Sequence, residues 1–227
     1  MNNKIAVTGS RGLLGSLLVN FLKKKKISFV EYKDNLNDLN KLKLWLNDNK
    51  DIKYFFHFAA ISSPITSEKN KNLTKLTNIT SLKNLINCLK KREIWFFFPS
   101  TSHVYGSSKY KISENFKIKP SNYYGKTKFI GEKFLQKNKN NKLNICIGRI
   151  FSVYHKKQKI PFLLPSVKKR LKNKIGKYIN IKNGNSVRDF NNADNVIKII
   201  YKLSILEAKG VYNIGTGKGQ TIINFLK

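Results

Sequence analysis

Two short stretches contain the residues best suited to moving a proton. The first, Pro-Ser-Thr-Ser-His-Val-Tyr-Gly at 99–106, follows an apolar run, Ile94-Trp95-Phe96-Phe97-Phe98. That run is long enough for one buried strand and too short for a helix, so the hydroxyls of Ser100, Thr101 and Ser102 emerge where the strand ends. The second, Tyr-Tyr-Gly-Lys-Thr-Lys at 123–128, follows Pro120-Ser121, a helix start. Four-residue spacing puts Tyr124 and Lys128 on one helix face, within reach of one ligand. A hydroxyl at a strand end facing a Tyr–Lys pair suits proton transfer to a carbonyl or alcohol oxygen.

The spacing alone is not selective. With 10 Tyr, and Lys plus Arg at 45 of 227 positions, chance yields about two such pairs. Tyr105/Lys109 and Tyr178/Lys182 share it. Tyr105, however, lies beside Gly106-Ser107-Ser108, a loop signal. Tyr178 precedes Ile179-Asn180-Ile181, which alternates like a strand, and there residues four apart stand roughly 13 Å apart. Only Tyr124 opens an amphipathic helix.

The rest of the chain supplies the elements that must position these groups. Lys4 to Thr8 reads as a short first strand. Gly9-Ser10-Arg11-Gly12-Leu13-Leu14-Gly15 follows, and then Leu17, Leu18, Phe21 and Leu22 recur at helical spacing. A glycine loop between strand and helix lets backbone approach a pyrophosphate at the helix N-terminus, where unpaired N–H groups and the dipole favour anions. Gly9, Arg11, Gly12, Leu13 and Gly15 are the expected contacts, in a spacing one residue wider at the front than Gly-x-Gly-x-x-Gly. Ile27 to Tyr32 is the expected second strand. Asp34 lies where a carboxylate grips the adenosine ribose, whereas Lys33 would pair with a 2′-phosphate. NAD and NADP both stay open, and Arg11 plus Lys33 against Asp34 tip the local charge toward NADP.

Tyr54 to Ala60 reads as a third strand, whose small Ala59-Ala60 end lets a cofactor pass close by. His57 within it is expected to be a hydrogen-bonded structural histidine. Leu73 to Leu89 keep helical period, and Leu143 to Phe151 return to strand. Strands alternating with helices mean α/β, a Rossmann-type doubly wound parallel sheet. Further on, Pro161 and Pro165 frame a helix toward Lys174, and Tyr178 to Ile181 reads as a strand. A helix from Asp194 to Leu206 and a strand from Val211 to Ile214 follow. Residues 1–150 are the expected NAD(P)-binding domain, and 151–227 a smaller substrate lobe interleaved with it.

Composition narrows the class. Hydrophobic content of 41% with 12% aromatics supports a real core and excludes disorder on composition. No apolar run reaches about 18 residues, so no membrane span is expected, and Lys4 leads straight into the first strand without a secretory signal core. Cys88 and Cys146 lie among apolar residues and are expected as buried free thiols, which fits a cytoplasmic setting. No metal site is expected. The net charge of +33 invites a nucleic-acid reading, yet Arg occurs only at 11, 92, 149, 170 and 188 and the other cations are Lys spread from end to end. Arg is the residue that reads guanine and phosphate bidentately. A nucleic-acid-binding module is therefore kept only as an outside alternative.

In order along the chain, Thr8-Gly9-x-x-Gly12-x-x-Gly15, His57-Phe58-Ala59-Ala60, Ser100-Thr101-Ser102-x-Val104-Tyr105-Gly106, Tyr124-Gly125-Lys126-Thr127-Lys128, Arg149, Arg188-Asp189-Phe190, Asp194 and Tyr212-Asn213-Ile214-Gly215 converge. The sequence resembles the extended short-chain dehydrogenase/reductases, in the NAD-dependent epimerase/dehydratase branch acting on nucleotide sugars. The resemblance implies that Thr101 holds the reacting sugar oxygen, Tyr124 is the acid/base and Lys128 binds the nicotinamide ribose. It implies substrate contacts from Ser102, His103, Arg149, Ser152 and Arg188, the last on the sugar nucleotide's diphosphate. A free tyrosine titrates near pH ~10, and a nearby Lys⁺ with the positive nicotinamide ring favours the phenolate. A homodimer is implied too, through Leu73 to Leu89 with Phe129, Ile130, Phe134 and Leu135.

Three departures shape the expectation. Ser102-His103 stand where 4,6-dehydratases carry an acidic pair, so elimination of water lacks its acid and base. Ser152, His155, Gln158 and Pro165 make the segment after Arg149 closest to 4-ketoreductases of guanosine-diphosphate sugars. The chain ends at Lys227 as Thr221 to Leu226 begin another helix, where relatives run further, so part of the substrate lobe is expected to be missing. The expected activity is 4-keto reduction or C4 epimerisation of a nucleotide sugar, with a catalytically impaired NAD(P)-binding protein as the alternative.

Overall fold

A computed structural model describes residues 4–108, 110–173 and 178–227. The strands are β1 (Lys4–Thr8), β2 (Phe29–Tyr32), β3 (Ile52–His57), β4 (Ile94–Thr101), β5 (Leu143–Ile150), β6 (Ser152–Tyr154), β7 (Val187–Asn192), β8 (Gly210–Ile214) and β9 (Gly219–Thr221). The helices are α1 (Leu13–Lys24), α2 (Leu39–Asp48), α3 (Pro64–Lys69), α4 (Lys71–Lys75), α5 (Ser81–Leu89), α6 (Tyr123–Asn138), α7 (Leu163–Lys172), α8 (Ala193–Ile205) and α9 (Ile222–Leu226).

A parallel sheet is covered on both faces, so its strands read as unbroken apolar runs. Here six strands form one all-parallel sheet in the order β2-β1-β3-β4-β5-β8. The side-chain period of two then sorts the aromatic run of β4. Phe96 and Phe98 join Phe55, Leu82, Leu85 and Leu135 on one face, while Trp95 and Phe97 join Val7, Leu18, Phe56 and Ile200 on the other. Rings from neighbouring strands meet directly, Phe55 with Phe96 at 5.6 Å and Phe56 with Trp95 at 5.5 Å between centroids. From β1 the chain winds outward to β2 and then returns past β1 to β3. That reversal opens a crevice beyond the carboxyl ends of the strands, where this architecture holds ligands.

Residues beyond 151 are shared between two sheets. β8 completes the large sheet beside β5, whereas β6, β7 and β9 form a small three-stranded one. The strand expected over Tyr178 to Ile181 does not form; those residues have no regular structure, and the small sheet is built from β6, β7 and β9. The Lys174 end expected for α7 and the Lys109 partner of Tyr105 lie outside the described residues. α6 begins two residues later than Pro120-Ser121, at the Asn122 cap. The long helix before β4 is α3, α4, a π-helical turn at Leu76–Thr80, and α5. Cys146 is buried, but Cys88 is only half-buried. Among the described residues no helix is long and apolar enough to cross a membrane.

Candidate active site

β4 delivers Thr101 to the carboxyl end of the sheet, and a single 3₁₀ turn, Ser102–Val104, follows. The Thr101 Oγ1 accepts from the His103 N–H at 3.2 Å. The N-terminus of α6 docks on this turn through Asn122, whose Oδ1 caps the helix at Gly125 N (2.9 Å) while its Nδ2 donates to His103 Nδ1 (2.9 Å). Gly125 permits the contact: a Cβ there would lie 2.3 Å from the His103 carbonyl oxygen. Docking brings Tyr124 beside Thr101, close enough for the hydroxyl to act on the phenol.

Tyr124 and Lys128 are both buried. Burial pushes the Tyr124 phenol well above its ordinary value, and the Thr101 hydroxyl offsets part of that rise. Burial pushes the Lys128 ammonium down to about 7, opposed by the charge of Glu132. Its Nζ lies 4.5 Å from the Phe98 ring centroid. In the chain by itself desolvation thus outweighs the Lys–Tyr attraction, and the phenol is protonated. His103 lies edge-on to Tyr124 at 6.1 Å. Burial, and then the charge of Arg188, hold its imidazole below the usual range. With Nδ1 accepting from Asn122, the neutral ring carries its proton on Nε2.

The expected substrate residues divide. Ser102 is half-buried in the turn beside His103, and Ser152 opens β6 opposite Phe190. Arg188 is exposed on β7 and donates to the Val187 carbonyl at 3.2 Å, while Asp189 and Asp194 are engaged elsewhere, with Thr216 and His155. Arg149 is a correction: its guanidinium points into the core and is consumed there. Nε and Nη2 fork onto Glu132, Nη2 at 2.7 Å, and Nη1 donates to Tyr105 Oη (2.7 Å) and the Glu114 carbonyl (2.9 Å).

The crevice holds a second set. Thr8, Gly9, Ser10, Arg11, Tyr32, Lys33, Asp34, Leu36 and Ala59 line a cleft of about 150 Å³. Gly9 has φ +71°, and a Cβ on it would lie 2.4 Å from backbone atoms of Phe58 and Ala59; one on Gly15 would lie 2.2 Å from the Gly9 carbonyl oxygen. Only glycine lets β1 turn into α1 this tightly against the end of β3. Gly12 precedes α1, Leu13 opens it, and no side chain caps that end. Its first N–H groups are free to face a phosphate, and Asp34 lies in the same cleft for a ribose. These residues fit a dinucleotide. Ala60 continues the loop after Ala59. His57 is structural: it is buried, bonds Thr8 Oγ1 at 2.8 Å, and burial pushes it down to about 3.

Three contributors escaped the sequence reading. Ser10 of the glycine loop holds the Glu31 carboxyl below the usual range, and Glu31 pairs with Lys33 at 3.3 Å. Asn78, in the π-helical turn, brackets the Ile61 backbone (2.8 and 3.0 Å) and donates to Thr127 Oγ1 (3.1 Å). It ties the loop after β3 to the Tyr–Lys helix. Glu132, an acid four residues past Lys128, was visible as a spacing but went unread.

The sequence and the fold are similar to those of known proteins. ADP-L-glycero-D-manno-heptose-6-epimerase from Brachyspira hyodysenteriae is 27% identical over 98% of this chain and 79% of its own. An uncharacterized UDP-glucose epimerase from Bacillus subtilis is 32% identical over 69% of this chain and 58% of its own. Among solved structures, UDP-glucuronic acid 4-epimerase from Bacillus cereus, in complex with UDP-glucuronic acid and NAD, superposes with a TM-score of 0.83 at 26% identity. That match covers 97% of this chain and 80% of the other. The model of the NAD dependent epimerase/dehydratase family matches residues 5–215. From the glycine turn through the Tyr–Lys helix to the last strand of the large sheet, the chain belongs to that family.

Proposed function

We propose that the protein is an NAD(P)-dependent enzyme that inverts a carbinol centre or reduces a ketone of a nucleoside-diphosphate sugar, by C4 epimerisation or 4-keto reduction. The observation that carries this reading is the buried Tyr124 beside Thr101, with Lys128 one turn further, at the carboxyl end of the sheet that also bears the glycine cradle. The epimerase names and the bound UDP-sugar and NAD of the similar proteins support it. A bound nicotinamide supplies the hydride chemistry. Thr101 holds the sugar oxygen, and the protonated Tyr124 donates to it as a carbonyl is reduced. Lys128 holds the nicotinamide ribose. Arg188 meets the diphosphate, while Ser102, Ser152 and the Nε2–H of His103 meet the sugar side. Dehydration fits less well, since no carboxylate follows Thr101.

The count of charges that tipped the cofactor toward NADP omitted Glu31. With Lys33 paired to it, only Arg11 opposes Asp34 and the preference becomes even. A cytoplasmic homodimer is part of the same proposal, since Leu73, Leu76 and Ile130 remain exposed on the helices expected to pair.

The test is turnover of UDP-glucose, UDP-glucuronic acid, an ADP-heptose and a 4-keto sugar nucleotide with each nicotinamide, read by product chromatography. We expect epimer or reduced sugar from at least one. Tyr124→Phe should lower kcat by about 10²-fold or more with dinucleotide affinity unchanged. Dinucleotide binding with no turnover of any of them would favour a non-catalytic binding protein.

A further inference from the structure

A buried charge cluster behind the Tyr–Lys helix has no part in the chemistry above. Glu132 sits one turn past Lys128 on α6 and is 1% exposed. Its carboxylate accepts from Arg149 Nε (3.1 and 3.2 Å) and Nη2 (2.7 Å), from β5, and from the hydroxyl of Ser100, the β4 residue before Thr101. Taking such a carboxylate out of water costs several kcal/mol. One arginine would offset that in a purely structural pair. Here a second cation, Lys128, is buried one turn away on the same face, where i,i+4 side chains are neighbours. Among the described residues, the other groups recorded near Lys128 are not anions: the Phe98 ring from β4, the neutral His57 from β3, and the protonated Tyr124 from α6 itself.

We propose that Glu132 is a positioning residue that keeps Lys128 cationic in its dry site, with Ser100 and Arg149 fixing the carboxylate for that purpose. Desolvation drives a buried lysine toward the neutral amine, and an opposite charge within a few ångströms opposes it. Such a charge counts for more where water is excluded. Glu132 is the influence that opposes burial at Lys128. A neutral Lys128 would lose its pull on a phenolate and its charge toward the cofactor, so the carboxylate behind the helix governs the pH range in which the front works. The functional half of this inference rests on Lys128 being the ribose-holding cation; the electrostatic half does not.

The experiment reads Lys128 directly, as the midpoint of its side-chain carbon shift in the ¹³C-lysine-labelled, cofactor-free protein. Glu132→Gln should lower that midpoint by about one pH unit or more. Because this change strands the Arg149 cation, it can fail to fold, so the double variant Glu132→Gln/Arg149→Met is measured beside it. Replacing both members of a buried pair is often neutral for stability. Its midpoint should lie between those of the single variant and the wild type. A wild-type midpoint in either folded variant, with only thermal stability reduced, would overturn the proposal and leave Glu132 structural. If the midpoint moves but the pH profile of turnover does not, the electrostatic role stands and the ribose-holding role of Lys128 fails instead.

Discussion

The contact at Gly125 gives the most direct handle on how the site is assembled. A methyl group there would sit 2.3 Å from the His103 carbonyl oxygen and 2.8 Å from its carbon, both backbone atoms that cannot swing aside. Ordinary contact begins near 3.4 Å, so Gly125→Ala must open α6 from the 3₁₀ turn by about 1 Å. Overpacking of this kind costs typically ~1–3 kcal/mol, from which alanine's better helix propensity returns up to ~1 kcal/mol. Net destabilisation should therefore be modest, on the order of 1–2 kcal/mol by urea unfolding. Turnover should suffer far more. The same 1 Å separates Tyr124 from Thr101, and misplacement on that scale costs about 10²-fold in rate. Gly106→Ala is the control, because its Cβ would meet only the Lys119 side chain at 3.4 Å, and it should stay within about 0.5 kcal/mol of wild type. Wild-type turnover in Gly125→Ala, or equal losses in both variants, would refute the idea that close approach at Gly125 sets the geometry.

Lys128 titrates near 7 when folded, below its ordinary 10.5, so between those values the unfolded chain binds a proton that the folded one lacks and stability rises with pH. The burial penalty is complete below about 7, and Lys128→Met should accordingly raise Tm most at and below neutral pH, with the gain fading toward pH ~10. Leu73, Leu76 and Ile130 are 53%, 44% and 36% exposed; sedimentation at micromolar concentration should give a dimer, and Leu73→Lys/Leu76→Lys a monomer. Titration of both cofactors should show Arg11→Ala weakening NADP relative to NAD by roughly tenfold, as loss of a charged hydrogen bond does. Lys33→Ala should do little, its charge already facing Glu31.

What the sequence disclosed follows from where each signal resides. The strands of the large sheet are buried on both faces, so their apolar runs are continuous and survive without knowledge of neighbours. The glycine turn and the Tyr–Lys pair are equally local, each within one loop or one helical turn. Arg149 was misread because its partner, Glu132, lies 17 residues earlier on another element; an arginine near a motif looks the same whether it faces substrate or core. Asn78 lies on the buried face of its helix, four residues before Leu82, and an amide within an apolar period gives no sign of its partners, Ile61 and Thr127, on other elements. Glu31 stands in an apolar strand, and its link to Ser10 depends on how closely β2 lies against the glycine loop. Tyr178 to Ile181 failed the other way: alternation over four residues is a weak signal that tertiary context overrides.

One hydrogen bond bears on how the protein is made. The Tyr105 hydroxyl, which accepts from Arg149, donates in turn to Asn213 Oδ1 on β8, 108 residues later. Asn213 also reaches back to Ile112 and Glu114, in the loop after the 3₁₀ turn. On a ribosome adding about 5–20 residues per second, Tyr105 waits on the order of 5–20 s for that partner. The glycine turn and the first four strands can assemble meanwhile, but the Arg149–Tyr105–Asn213 relay closes only when nearly all of this sequence has been synthesised. The glycine turn of a nascent chain can therefore form before the back of the Tyr–Lys helix is locked.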